Sequence, residues 1–363
     1  MTPPLTCPRC GADLREDGGR LRCPCGSYPV VEGIPVLTDD ARDRDPDLGR
    51  LLARHRPPPR TRAGALLRRL FPGAAPLARA ATRPDATFLD AAARLGRSSD
   101  LDYFRYRFSD PSYVASCAFL APLTEGPVLD LCCGAGHVTR ALARKLPGAP
   151  VVGLDFNFSL LFLARRFVAP GAPLVCADAA GRLPFRDGAF AAAVCADAFY
   201  FLRDRARAAA ELRRVTRGPI LVPHLQDPAF RGPSVRPPLS PAEALGLFRD
   251  RVPRLHSERR ILERFLADRV LDLSGPEPRA DEAVSLSAGV APQVYPNADF
   301  FTGGRSINPL YAVREEGDAL ALEARRPHPF LPAALRVTRR QVAEGDPELA
   351  RKFILLDLPP RYA

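Results

Sequence analysis

Val128-Leu129-Asp130-Leu131-Cys132-Cys133-Gly134-Ala135-Gly136-His137-Val138-Thr139 reads as an apolar strand that runs into a glycine turn, after which a helix opens. Further apolar runs follow at residues 150–155, 174–177, 190–195 and 219–223, each too short for a helix. Helical patterns at 138–146, 158–167 and 205–215 lie between them. This alternation predicts an α/β fold with a parallel sheet covered on both faces, because each parallel connection must cross the sheet. In open sheets of this kind ligands sit outside the carboxyl ends of the strands. The chemistry-bearing residues of this chain fall at such ends.

Glycine at 134 and 136 lets backbone approach a ligand closely, but a glycine turn alone serves phosphate and dinucleotide sites equally well. The dinucleotide fingerprint requires glycine at 139, where Thr139 stands, and no G-x-x-x-x-G-K-[ST] stretch exists for a nucleoside triphosphate. Asp155 ends the second strand 19 positions after Gly136, close to the spacing at which a carboxylate meets ribose hydroxyls. Asp178 ends the third, where a carboxylate can accept from an adenine amino group. The ordered set predicts a nucleoside cofactor.

With these residues in place, 128–215 resembles the class I S-adenosylmethionine-dependent methyltransferases. Two segments beyond the glycine loop carry the resemblance: Leu183-Pro184-Phe185-Arg186-Asp187-Gly188-Ala189-Phe190 before the fourth strand, and Glu211-Leu212-Arg213-Arg214-Val215 before the fifth. It implies a Rossmann-like, doubly wound, seven-stranded and mostly parallel sheet, with S-adenosylmethionine as cofactor. By position it also implies that Asp130, Gly134 and Gly136 hold the methionine part, Asp155 the ribose, Phe156 the adenine face, and Asp178 with Ala179 the adenine edge. Ala196 and Asp197 would line the methyl side. The chain departs from the family pattern at Cys132, where many members have glycine, at Ala191, and at Arg217-Gly218-Pro219. Cysteine at 132 fits if its side chain turns away from the ligand.

Cys7-Pro8-Arg9-Cys10 and Cys23-Pro24-Cys25 form two close pairs separated by twelve residues, a pattern that a hairpin can gather around one tetrahedral structural zinc. Four protein ligands leave no open position, so such a metal would organise a module or dock a partner. The tight second pair leaves a redox pair or a metal-free relic as alternatives. Residues 7–37 also resemble the zinc-ribbon partner proteins of methyltransferases and the amino-terminal zinc module of some ribosomal-RNA guanine methyltransferases. Cys117, Cys133, Cys176 and Cys195 lie in apolar surroundings and read as core.

The expected organisation is a zinc ribbon at 1–38, an Arg- and Pro-rich linker with helical pieces at 39–111, the cofactor-binding core at 112–225, and a region at 226–363 that completes the sheet and adds a substrate-side α+β extension. Inside the linker, Leu66, Leu67, Leu70 and Phe71 recur at helical spacing and predict a helix over 63–71 laid on a protein surface. Ser240-Pro241-Ala242-Glu243 offers a cap, a proline at the first helical position and a capping-box Glu. Residues 310–313 and 319–322, joined through Glu315-Glu316-Gly317-Asp318, predict a hairpin. The apolar runs are too short to span a bilayer, and nine cysteines without a secretion signal point to a reducing, cytoplasmic setting. The formal charge of +11 is nearly all Arg, with Lys145 and Lys352 the only lysines, which suits either a solvated basic surface or an RNA partner.

Methyl transfer from a sulfonium is an in-line displacement, helped by alignment and, for a protonated nucleophile, by a base. His224 after the fifth strand and Asp197 after the fourth are the leading catalytic candidates, followed by Tyr200 and His137, with His256 and Tyr311 behind. The long carboxyl-terminal region favours a small-molecule acceptor. The cysteine module and Arg-rich stretch keep an RNA methyltransferase open, although no interleaved aromatic platform for stacking bases is evident. A non-catalytic cofactor-binding scaffold is the third reading.

Overall fold

In the computed structural model the described residues are 3–38, 86–230, 235–297 and 303–363. Residues 39–85 of the linker expected at 39–111, with its helix at 63–71, lie outside them. The chain begins with an antiparallel meander of β1 (Arg15–Asp17), β2 (Arg20–Cys23), β3 (Gly26–Val31) and β4 (Ile34–Pro35). Three short helices follow: α1 (Phe88–Arg94), α2 (Leu101–Tyr106) and α3 (Pro111–Phe119). Helix α3 starts where it does because the Asp110 carboxylate accepts from the Ser112 amide and Pro111 occupies the first helical position.

The core then alternates as β5 (Val128–Leu131), α4 (His137–Lys145), β6 (Val151–Asp155), α5 (Phe158–Leu163), β7 (Leu174–Cys176), β8 (Ala192–Val194), α6 (Arg205–Val215) and β9 (Ile220–Gln226). Next come α7 (Pro241–Gly246), β10 (Arg254–Ser257), α8 (Glu258–Asp268), β11 (Val270–Asp272) and β12 (Val284–Ala288). The seven-stranded sheet has the order β10-β12-β9-β8-β5-β6-β7, and only β12 runs antiparallel to both its neighbours. The order reverses between β5 and β8, which creates the switch point where open sheets bind ligands.

Strands of this sheet are continuous apolar runs because both faces are covered: Leu129, Val152 and Val222 are fully buried on one face, Val128, Val194 and Leu221 on the other. Phe88, Phe119, Leu142, Phe162 and Phe265 pack one face. Leu212 and Phe248 pack the other, together with Cys7, Leu21, Tyr28 and Leu37 of the amino-terminal meander. Each such side chain contributes about 1.5–3 kcal/mol through burial. The meander also adds backbone bonds at the sheet edge. Leu37 N–H donates to the Cys176 carbonyl at 2.8 Å, Thr6 N–H donates to Pro184 at 2.9 Å, and Val36 bridges Cys176 in parallel register. An edge strand that would otherwise present unpaired groups is thus covered.

Four details differ from the sequence expectation. Strand β9 runs on to Gln226 because its pairing with β12 shifts register between Val284 and Leu286, an irregularity that inserts two extra residues around His224. The helix after β6 ends in a π turn over Ala164–Val168. Gly136, at φ 82°, has its bare Cα against Ala164, where an added β-carbon would meet the Ala164 β-carbon at 2.9 Å, so this glycine serves close packing. The expected hairpin is present as β15 (Tyr311–Glu316) and β16 (Ala319–Ala324) around Gly317 at φ 62°, after β13 (Val294–Pro296) and β14 (Ser306–Ile307), and it gains a third strand, β17 (Ala334–Thr338). Among the described residues no helix is long and apolar enough to cross a membrane.

Candidate active site

A cavity of about 740 Å³ opens over the carboxyl ends of β5, β6, β8 and β9, roofed by α2 and the turn after it. Its first half is built by the glycine turn and the end of β6. The Gly134 amide donates to Asp155 Oδ2 at 2.9 Å and the Asn157 amide to Oδ1 at 2.8 Å. Burial raises the Asp155 carboxyl, and these two amide donors oppose it. Each oxygen keeps acceptor capacity for a further donor. An added β-carbon at Gly134 would meet nothing closer than Leu160 at 4.0 Å, so the backbone there is open to a ligand. Asp130 also faces the cavity. Its Oδ2 accepts from the Thr139 hydroxyl at 2.6 Å, and burial lifts the carboxyl to about 7 despite that bond.

Of the residues implied by the family resemblance, Asp130, Gly134, Asp155, Phe156, Ala196 and Asp197 line this cavity. Gly136, Asp178 and Ala179 are not part of its wall. The Asp178 carboxylate accepts from the Ala180 amide at 2.9 Å, an Asx turn that holds the loop after β7. Cys132 belongs to the cavity wall. It takes a left-handed backbone (φ 59°), and the neighbouring Cys195 thiol together with burial pushes its own thiol well up.

The second half of the cavity holds a charged network. Arg107, buried to 3% exposure, places NH1 2.8 Å from Asp197 Oδ2. The Tyr200 hydroxyl donates to Asp197 Oδ1 at 2.5 Å, and His224 Nε2 lies 3.8 Å from the same oxygen. On its other side, His224 Nδ1–H donates to Glu258 Oε2 at 2.5 Å. Cys132, Asp197 and His224 all have positive φ (59°, 54° and 49°); the first two follow β5 and β8, and the third lies in the adjacent β9. Non-glycine residues rarely adopt this conformation, and such strain gathers where side chains must be aimed for function.

Burial alone would lower the His224 imidazole, but the Glu258 carboxylate on Nδ1, with Asp197 behind it, outweighs burial and lifts it to about 9. Burial raises Glu258, and His224 opposes that. His224 is therefore an imidazolium at neutral pH. A histidine raised in the folded state stabilises fully below its ordinary range near 6.5 and loses that contribution as pH climbs through about 9. Melting temperature should fall over this alkaline window, by the equivalent of about 3 kcal/mol at most, and Glu258→Gln should flatten the fall. A wild-type profile as flat as that of the variant would refute the charged assignment.

The other candidates are separate from this centre or turned within it. His137 lines the cavity but is neutral: burial lowers it to about 3, and its Nε2 bonds with the Tyr362 hydroxyl at 2.7 Å. His256 lies on β10 with Nε2 2.8 Å from the Ser287 hydroxyl, and the Tyr311 hydroxyl donates to Pro332. Neither reaches the cavity. Arg107 and Glu258 were not anticipated. Their sequence signals were indirect, namely the Asp110-Pro111 helix start just after Arg107 and the Ser257 cap just before Glu258.

In the amino-terminal meander, the Sγ atoms of Cys7, Cys10, Cys23 and Cys25 lie within 4.8 Å of one another. Zinc–sulfur bonds of ~2.3 Å in a tetrahedron place sulfurs roughly 3.8 Å apart, so this donor set fits zinc. The short second spacing has a structural reason. Cys23 pairs with Gly26 across the β2–β3 turn, so Pro24 and Cys25 form its two-residue tip. Arg9 N–H donates to Cys7 Sγ at 3.4 Å, and Gly11, at φ 74°, closes the first knuckle through a 2.8 Å bond to the Cys7 carbonyl.

Residues 128–218 match the family described as a methyltransferase domain. Over 90 residues the chain is 39% identical to the demethylmenaquinone methyltransferase of Thermotoga maritima, covering 25% of this chain and 38% of that protein. A 90-residue match at 42% identity links it to the demethylmenaquinone methyltransferase of Thermus thermophilus, covering 24% and 41%. The chain thus spans about two fifths of the length of these curated relatives. A solved structure of an S-adenosylmethionine-dependent methyltransferase from Thermotoga maritima aligns with a TM-score of 0.39 and 18% identity, over 55% of this chain and 97% of that one. A chain from the complex between the Haloferax volcanii Trm112 methyltransferase activator and a methyltransferase aligns with a TM-score of 0.39 and 20% identity, over 55% and 94%. The strand order and glycine turn define a Rossmann-like, doubly wound domain. Its segment 128–218 is similar to methyltransferase domains in sequence.

Proposed function

We propose that this protein transfers a methyl group from S-adenosylmethionine to a small-molecule acceptor. The observation that carries the reading is one cavity whose two halves do different work: Gly134 and Asp155 suit a nucleoside, while Asp197, His224 and Arg107 surround a reacting centre. In this reading Asp155 accepts from the ribose hydroxyls, Phe156 packs on the adenine, and Asp130 with Gly134 holds the methionine part. When bound, S-adenosylmethionine supplies an electrophilic methyl group. A volume of about 740 Å³ suits a cofactor with a compact second ligand. The curated relatives, named for a quinone methylation, support the same acceptor class.

The chain's own residues then divide the labour. Asp197 has acceptor capacity for an acceptor proton, whereas His224, as an imidazolium, has no free lone pair and acts as a donor. Glu258 is a positioning residue that holds the ring. Zinc at Cys7, Cys10, Cys23 and Cys25 would be structural, holding the ribbon against the sheet edge. A methyl-label assay should place label in a small-molecule extract. Transfer to total RNA with none to the extract would overturn this reading.

A further inference from the structure

Four aromatic rings surround the charged half of the cavity. Tyr200 lies 5.8 Å from the His224 ring and 5.6 Å from Phe230, Phe201 lies 4.4 Å from Tyr200, and Tyr103 lies 5.0 Å from the Arg107 guanidinium. Tyr103, Phe201 and Phe230 keep between 42% and 49% of their surface exposed, unusual for large rings on a cavity wall. Exposed rings gathered on one wall suit a flat apolar ligand. The polar end of the same space is specific in another way. Asp197 already faces two cations, Arg107 at 2.8 Å and His224 at 3.8 Å.

That pairing discriminates between acceptors. An ammonium placed against Asp197 would sit beside both cations, and a carboxylate would have to compete with Asp197 for them. A neutral hydroxyl can donate to Asp197 while negative charge growing on its oxygen meets Arg107 and His224 Nε2–H. Resting on the methyltransferase reading above, we infer that the acceptor is a flat aromatic ring bearing an ionisable hydroxyl, held by Tyr103, Phe201 and Phe230 with its oxygen between Asp197 and His224. In the transfer the hydroxyl proton passes to the Asp197 carboxylate. The oxygen lone pair forms the new O–C bond as the carbon–sulfur bond breaks, and that electron pair stays on sulfur as a neutral thioether.

The test uses protein saturated with S-adenosylhomocysteine and three probes of one shape: 1-naphthol, 1-naphthylamine and 1-naphthoic acid. Absorbance titration should show 1-naphthol binding at least tenfold more tightly than the others, with its naphtholate band appearing at lower pH than in buffer. His224→Gln, which removes one of the two cations facing the oxygen, should shrink the band shift, Asp197→Asn, which removes the opposing negative charge, should move the band to still lower pH, and Phe230→Ala should weaken binding about tenfold. If Asp197→Asn does not fold, Tyr200→Phe, which removes one donor to Asp197, should move the band measurably. Equal or tighter binding of the amine or acid, an unshifted band, or no binding of any probe to loaded protein would overturn the inference. Failure of S-adenosylhomocysteine itself to bind by calorimetry would instead sink the methyltransferase reading.

Discussion

Asp155→Ala should lower affinity for S-adenosylmethionine by about two to three orders of magnitude, read by isothermal titration. Two ribose hydroxyls bonded to one carboxylate are each worth ~1.5–3 kcal/mol as hydrogen bonds to a charged group. Part of the loss is indirect, because the same carboxylate holds the Gly134 and Asn157 amides in place. Asp155→Asn separates the two effects: it keeps an acceptor for one amide while removing the charge. Its affinity should fall between those of the other two proteins. Wild-type affinity in the alanine variant, with the protein folded, would remove Asp155 from the cofactor site.

The second large effect is expected at the other end of the chain. Stripping metal with a chelator, or substituting Cys25→Ser, should release the amino-terminal meander and lower the melting temperature of the whole protein. Zinc contributes about 10–16 kcal/mol to the folding of small zinc modules. If only a third reached the core, the midpoint would drop by about 10 °C at roughly 2–4 °C per kcal/mol. Transmission to the core is physical, since Tyr28 and Leu37 of the meander share one apolar cluster with Phe185 and Val175 of the sheet. Fully reduced protein that lacks metal and melts at the same temperature as zinc-loaded protein would refute a structural metal there.

The parts of the fold that could be read from sequence are those where local pattern and tertiary demand agree. Strands β5, β6 and β9 are apolar on both sides because both faces are covered, and Gly134 and Asp155 come in chain order at strand ends that adjoin in space. The charged half of the cavity had no such signal. Arg107 meets Asp197 across 90 positions, and Glu258 meets His224 across 34. No periodicity links residues so far apart. The left-handed backbone at Asp197 and His224 was equally silent, because it is imposed by the surrounding sheet and a bulge rather than by residue preference. Gly136 shows the opposite limit: its identity was legible, yet its neighbour Ala164 gives it a packing task that the motif alone does not express.

The bridge between Val36 and Cys176 joins positions 140 apart in the chain. Its partner strand lies between β6 and the rest of the sheet's later sequence, so the meander emerges from synthesis long before its docking edge exists. Closing a loop of that length adds a search penalty that grows only slowly with length but must be met before any contact repays it. The order of assembly therefore differs from the order of synthesis. Residues of the meander reach their final seat only after the third core strand, and a nascent chain halted before Cys176 would carry Tyr28 and Leu37 without the surface that shelters them.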